Sequence, residues 1–347
     1  MKLAPIVTAL LATALLAGCT SDKPADSTSN VPSGPSADLK PAGKELKVGV
    51  VFDSGGRGDK SFNDSAWAGI EKAQREFNLT VATVDSKAAK DYEANLSGLA
   101  DKGMDLIFAV GITQQDALKA VAPRYPNVKF AIIDGEVDGP NVRNLKFKEE
   151  QGSFLAGYLA GLMTKTNKIG FVGGMNIPLI EKFQAGYIAG AKAANPAVVA
   201  LPGKFTESWD DVTLGEAAAR TLLDGGADIV YAAAGRAGIG VINAAADAKK
   251  YVIGVDSDQD YLKPGFVLTS MVKRVDVSVY ETIKDLNAGT FSTGTKEYTL
   301  ADNGVGLSEM KFTKDLIGAD KLAKVEEEKK KLLEGSVAVP TRMSEVK

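Results

Sequence analysis

Six residues follow directly on the most apolar runs of the chain: Asp53, Gly111, Asp134, Gly173, Gly235 and Asp256. An ionised carboxylate only accepts hydrogen bonds, and a glycine lets backbone approach a ligand, so this set offers polar selection at a place of close contact. Nucleophilic and metal chemistry have little to draw on. The 347 residues contain no histidine and a single cysteine, Cys19, which excludes Ser-His-Asp, Cys-His and His-based metal sites. Asp256-Ser257-Asp258 is too small a cluster for a calcium site, and the chain reads as a non-enzyme that needs no cofactor or metal.

The loop from Asp53 to Asp64 is rich in glycine, but it is not a phosphate loop, because Asp59 separates Gly58 from Lys60-Ser61. It carries no G-x-G-x-x-G either. The net charge of −3 gives no basis for nucleic-acid binding.

Residues placed after apolar runs need strands to present them. The first set of runs is 46–52, 80–84, 106–110 and 129–133, and the second is 168–172, 197–200, 229–232 and 252–255. Amphipathic stretches lie between them, at 61–77, 92–102, 179–194 and 214–223. Dense Val, Ile and Phe alternating with such stretches predicts parallel sheets covered by helices, and ligands of such sheets bind beyond the carboxyl ends of the strands. Two runs of four predict two Rossmann-like α/β lobes. Lobe 1 is placed at 46–150 plus about 272–347 and lobe 2 at 151–271, with hinge crossings near 150, 270 and 290–310. The charged segment 314–333 reads as a solvated helix.

The first 45 residues read differently. Met1-Lys2 precedes a short apolar run, and Leu16-Ala17-Gly18-Cys19 resembles the bacterial lipobox. Residues 1–18 are expected to be a signal peptide, Cys19 the lipidated N-terminus, and 19–45, rich in Ser, Pro, Gly and Asp, a flexible tether spanning roughly 25–30 Å. Such a lipid would anchor the chain to a bacterial envelope, outside the cytoplasmic membrane.

Several motifs occur in order: Asp59-Lys60-Ser61-Phe62-Asn63, Ile133-Asp134, Gly173-Gly174-Met175 leading to Phe183 and Gly186-Tyr187, Gly254-Val255-Asp256-Ser257-Asp258-Gln259, and Thr269-Ser270-Met271-Val272-Lys273-Arg274. Together they resemble the basic membrane protein family, whose best understood branch is similar to the purine nucleoside receptor A lipoproteins of ABC transporters. The resemblance implies a type I periplasmic-binding fold, two lobes joined by a multi-strand hinge around a purine nucleoside (guanosine, inosine or adenosine). It also implies permease and ATPase partners and a monomer. By the same resemblance, Phe62 and Trp209 would cover opposite faces of the base. Asp134 and Asn63 would read its edge, with Asn63 able to donate and to accept. Asp53, Asp256, Lys273 and Gly235 would hold the ribose, and Ser61, Phe183 and Arg236 would lie near.

Each residue also has a structural alternative. Phe62 and Phe183 are core candidates, and Phe205 competes with Trp209. Asp53 and Asp256 can cap helices, Asp134 can serve a turn, and Lys273 can be a salt-bridge partner at the hinge. Two departures leave the ligand open: Trp209 stands where the family usually has Phe, and Ala234-Gly235-Arg236-Ala237-Gly238-Ile239-Gly240 carries Arg236 and Ile239 at positions often small or polar. Riboflavin, a plain sugar, or a surface-interaction role remain alternatives.

Overall fold

The computed structural model describes residues 43–347. The expected signal peptide, Cys19 and nearly all of the tether lie outside the described residues. Among the described residues, no helix is long and apolar enough to cross a membrane.

The chain first lays down β1 (Leu46–Phe52), α1 (Phe62–Glu76), β2 (Leu79–Asp85), α2 (Tyr92–Asp101), β3 (Leu106–Val110), α3 (Gln115–Val121), β4 (Lys129–Ile133) and β5 (Val142–Phe147). A second series follows: α4 (Glu149–Met163), β6 (Lys168–Gly173), α5 (Pro178–Ala194), β7 (Val199–Ala200), β8 (Lys204–Phe205), α6 (Val212–Asp224), β9 (Ile229–Ala233), α7 (Ala237–Asp247), β10 (Tyr251–Asp256) and β11 (Val267–Lys273). The last elements are α8 (Val275–Asn287), β12 (Gly294–Tyr298), β13 (Val305–Leu307), α9 (Lys314–Ile317) and α10 (Ala319–Leu333).

Two sheets result, the mixed α/β architecture of two lobes. The first is six-stranded in the order β12-β5-β4-β3-β1-β2, and the second is seven-stranded along β13-β11-β10-β9-β6-β7, with β8 also paired to β6. Every pairing is parallel except β11 with β13. All five residues of β3 are buried, as a strand covered by helices on both faces requires.

The chain passes between the sheets at Lys148, at Arg274, and again between β12 and β13. The placement of 272–347 with the first lobe needs correction. Only α8 and β12 return there, α8 against α1 and β12 beside β5. The later segment goes back to the second lobe, where β13 pairs with β11 and α10 packs on α4. The physical reason is burial. The polar-looking segment 314–333 hides Val325 and Leu332 on one face, so it is a packed helix rather than a fully solvated one. The run expected at 197–200 shortens to the two residues of β7.

Glycines set the closest helix contacts. A Cβ on Gly157 of α4 would collide with the carbonyl of Tyr187 on α5, and one on Gly190 of α5 would collide with that of Phe154 on α4. We expect Gly157→Ala to lower stability by about 1–3 kcal/mol, because the atom it meets is backbone and cannot swing away. Urea denaturation of the variant beside the parent chain checks this. An unchanged midpoint would mean that the two helices separate freely.

Candidate functional site: the cleft between the lobes

The carboxyl ends of both sheets' strands face one cleft. It encloses about 580 Å³ of non-protein space, its open mouth included. The first lobe contributes Asp53 after β1, Asp59, Phe62 and Asn63 at the start of α1, Gly111 to Thr113 after β3, and Asp134 after β4. The second lobe contributes Phe183 on α5, Trp209 before α6, Gly235 after β9, Asp256 at the end of β10 and Lys273 at the end of β11.

Asp134 and Asp256 occupy matching places at the ends of their strands, with φ of 67° and 62°. That left-handed conformation is uncommon for a residue with a Cβ and marks a position held by its surroundings. Buried Lys273 ties the two together. Its Nζ is 2.7 Å from Asp134 Oδ2 and 3.7 Å from Asp256 Oδ1. The same ammonium lies 4.8 Å from the centre of the Phe62 ring, 5.3 Å from Phe147 and 5.5 Å from Phe183, within range of cation–π attraction. Burial alone would depress its pKa, but Asp134, Asp256 and Glu149 outweigh that and hold it above the ordinary lysine value.

Glu149, buried where the chain enters the second lobe, was missed in the sequence. Its Oε2 sits 3.2 Å from Lys182 Nζ, and burial pushes its pKa up to about 7. Burial likewise raises Asp53 and Asp256 to about 6, against the opposing pull of the Asn63 amide on the first and of Lys273 on the second. All three therefore bind protons more tightly folded than unfolded. Their contribution to stability falls as pH rises from about 4 through about 7. We expect the urea midpoint of the unliganded chain to be higher at pH 5.5 than at pH 7.5. A midpoint that climbs across that interval would show other titrations to dominate.

Hydrogen bonds join the lobes directly across the cleft. Ser61 donates its hydroxyl to Asp256 Oδ2 at 2.6 Å, Ser257 donates to the Ser61 carbonyl at 3.0 Å, and Gln259 Nε2 donates to the Lys60 carbonyl at 3.0 Å. Ser61 is thus buried against the other lobe rather than part of the cleft lining. Arg236 departs from expectation in the same way. Its Nη2 donates to the Arg57 carbonyl at 2.6 Å, so it bridges the mouth instead of lining the cleft. Gly173 does not line it either, because Ile180 and Phe205 cover it.

The two aromatic candidates of the second lobe separate clearly. Phe205, partly buried, packs edge-on to Phe171 at 6.2 Å against the core. Trp209 lines the cleft, its indole lying against backbone where Gly174 has no Cβ and close to Gly235. Asp211 fixes this loop by accepting from Thr213 N at 2.9 Å and Leu214 N at 3.1 Å, which caps α6.

Hydrogen-bond capacity in the cleft is unevenly used. Asn63 Nδ2 donates to Asp53 Oδ1 at 2.9 Å and to Asp59 Oδ2 at 3.1 Å, while Asn63 Oδ1 and Asp134 Oδ1 are buried with no partner among the described residues. Orphaned acceptors at this depth cost free energy unless a ligand supplies donors. Asn63 therefore does not both donate and accept toward the cleft. Its amide hydrogens are taken, and only its carbonyl remains. Asp59 is the second residue that the sequence reading passed over. Its spacing two, four and five residues before the backbone amides of Ser61, Asn63 and Asp64 is the signal that marks it.

Residues 46–342 match the model of a family described as ABC transporter substrate-binding protein, PnrA-like. The chain belongs to this family. Among its relatives, a CD4+ T-cell-stimulating antigen of Listeria innocua is 38% identical, over 89% of this chain and 93% of that protein. The ABC transporter nucleoside-binding protein BmpA of Lactococcus lactis is 35% identical, over 96% of this chain and 97% of that protein. A solute-binding protein of an ABC transporter system from Aeropyrum pernix superposes with a TM-score of 0.78 at 31% identity, over 86% of this chain and 94% of that one. As a PnrA-like protein, the chain is a substrate-binding protein of an ABC transporter and not an enzyme. Such proteins work outside the cytoplasm with a small-molecule ligand and with permease and ATPase partners.

Proposed function

We propose that this PnrA-like protein captures a purine nucleoside between its lobes and hands it to a membrane permease, working as a monomer tethered by a lipid on Cys19. The observation that carries the reading is the composition of the cleft. One aromatic ring from each lobe, Phe62 and Trp209, lines it together with unpartnered acceptors on Asn63 and Asp134. Flat rings suit such aromatic walls, and N–H groups at the base edge would satisfy the acceptors. Asp53 and Asp256 are assigned to the ribose hydroxyls, with Gly235 giving close backbone approach and Lys273 a donor. Phe183 closes the side of the cleft beside Lys273. The nucleoside-binding relative in Lactococcus lactis points the same way.

The test is calorimetric titration of the chain, freed of carried-over ligand by unfolding and refolding, with guanosine, inosine, adenosine, cytidine, ribose and riboflavin. Tight binding of purine nucleosides with weak cytidine and ribose binding is expected. Binding of riboflavin or ribose alone would keep the transporter role and replace the ligand.

A further inference from the structure

Helix α1 is capped in an unusual way. Its N-cap residue, Ser61, makes no side-chain cap bond, because its hydroxyl reaches across to Asp256. The cap comes instead from Asp59, two residues upstream. Buried Asp59 accepts from Ser61 N at 3.0 Å and Asp64 N at 3.1 Å through Oδ1, and from Asn63 N at 2.8 Å through Oδ2. One further contact goes beyond capping: Asp59 Oδ2 also receives Asn63 Nδ2.

Asn63 Nδ2 has two hydrogens, and Asp53 Oδ1 is the acceptor for the other. Ionised carboxylate oxygens have no hydrogen to offer, so an amide lying between two of them must direct its nitrogen to both. The opposite end, Oδ1, is then left as an acceptor without a protein partner among the described residues, on a side chain that lines the cleft.

We propose that Asp59 is a specificity-determining positioning residue, which locks the Asn63 side chain as an acceptor and so selects ligands whose ring edge carries a hydrogen-bond donor where Asn63 meets it. This rests on the purine nucleoside reading of the cleft. Asn63 Oδ1 is a bare acceptor, so a base with a ring N–H satisfies it, as in hypoxanthine and guanine. Adenine has an unprotonated ring nitrogen at that place, and an acceptor there meets another acceptor. The lock depends on charge rather than shape. An asparagine at position 59 has the same size but offers one acceptor and one donor, so the Asn63 amide can turn over and present its NH2 group.

The experiment compares the parent chain with Asp59→Asn for inosine and adenosine binding by calorimetry. The parent is expected to favour inosine, and the variant to lose that preference by roughly tenfold or more, the size expected when a hydrogen-bonding partner is mismatched. An unchanged ratio would overturn the proposal, whether both affinities fall equally, which would make Asp59 a structural cap only, or neither moves. A second readout uses the parent chain alone, in case the variant fails to fold. Hydrogen exchange of the Asn63 side-chain amide, followed by NMR without ligand, should be strongly protected, and exchange as fast as that of an exposed asparagine would also overturn the proposal. A parent chain that binds neither nucleoside overturns the purine reading itself, a result distinct from binding without the predicted ratio.

Discussion

Lys273→Met will be the most damaging single change in the cleft, lowering stability by about 3–5 kcal/mol at pH 7.5, the cost typical of breaking one partner out of a buried ion pair. The geometry explains why. Lys273 is the cation that faces Asp134 and Asp256 at 2.7 and 3.7 Å, and the nearby buried Glu149 is left with Lys182. Methionine keeps much of the stem's packing but leaves carboxylates facing each other in a poorly solvated site. The sign of the pH dependence separates this cause from lost packing. Without Lys273 the charged forms of Asp256 and Glu149 become harder to hold, so their folded-state pKa values rise further and the variant regains stability as pH falls from 7.5 towards 5.5. Adding Asp134→Asn to Lys273→Met should recover part of the loss, because it removes a charge that no longer has its partner. Denaturation midpoints of parent, single and double variants at both pH values make the measurement. A single variant as stable as the parent at pH 7.5 would mean that water replaces the ammonium at little cost.

The second large effect falls on ligand affinity. Phe62→Ala and Trp209→Ala are each expected to weaken purine nucleoside binding by about 1–3 kcal/mol, or roughly 5- to 150-fold in Kd, by removing one stacking surface. Ribose has no π-face, so whatever weak affinity it shows should be unmoved. The two rings come from different lobes, and on the proposed purine reading losing either would leave one face of the base against water. Trp209 carries an extra risk, since its indole also covers the backbone at Gly174. The Phe62 variant is therefore the cleaner measurement. Retained affinity in both would shift the reading to a ligand held by polar groups alone, such as a sugar, or to a surface role that ignores the cleft.

The strands that carry the site were readable in the sequence because they are central and buried. β1, β3 and β4 span the residues expected of them, and their continuous apolar runs follow from cover on both faces. β5 escaped notice because Arg143, Asn144 and Lys146 interrupt it. The Arg143 guanidinium is nevertheless buried, paired with Asp285 at 2.7 Å, a partner 142 residues away that no local pattern reveals. β12 and β13 stand at sheet edges, where polar residues are tolerated and short strands suffice. Asp53, Asp134 and Asp256 were visible because each follows such a run, and Lys273 through the Thr269–Arg274 motif that carries the family resemblance. The roles of Ser61 and Arg236 were not, since each depends on which lobe closes over it. A side chain's partner across a cleft is a property of the assembled lobes, and a linear pattern holds no trace of it.

The threefold passage of the chain between the sheets bears on how the molecule comes into being. β12 joins the first sheet beside β5, and β13 then closes the second beside β11, so the first sheet lacks a strand until the chain reaches Tyr298 and the second until it reaches Leu307. Shorter nascent chains expose the unpaired edges of β5 and β11 together. Pairings this distant in sequence also close slowly, because the entropy of long loops opposes them before any contact rewards it. The receptor is consequently built to stay incomplete until late in its own synthesis, and its two lobes mature together rather than one after the other.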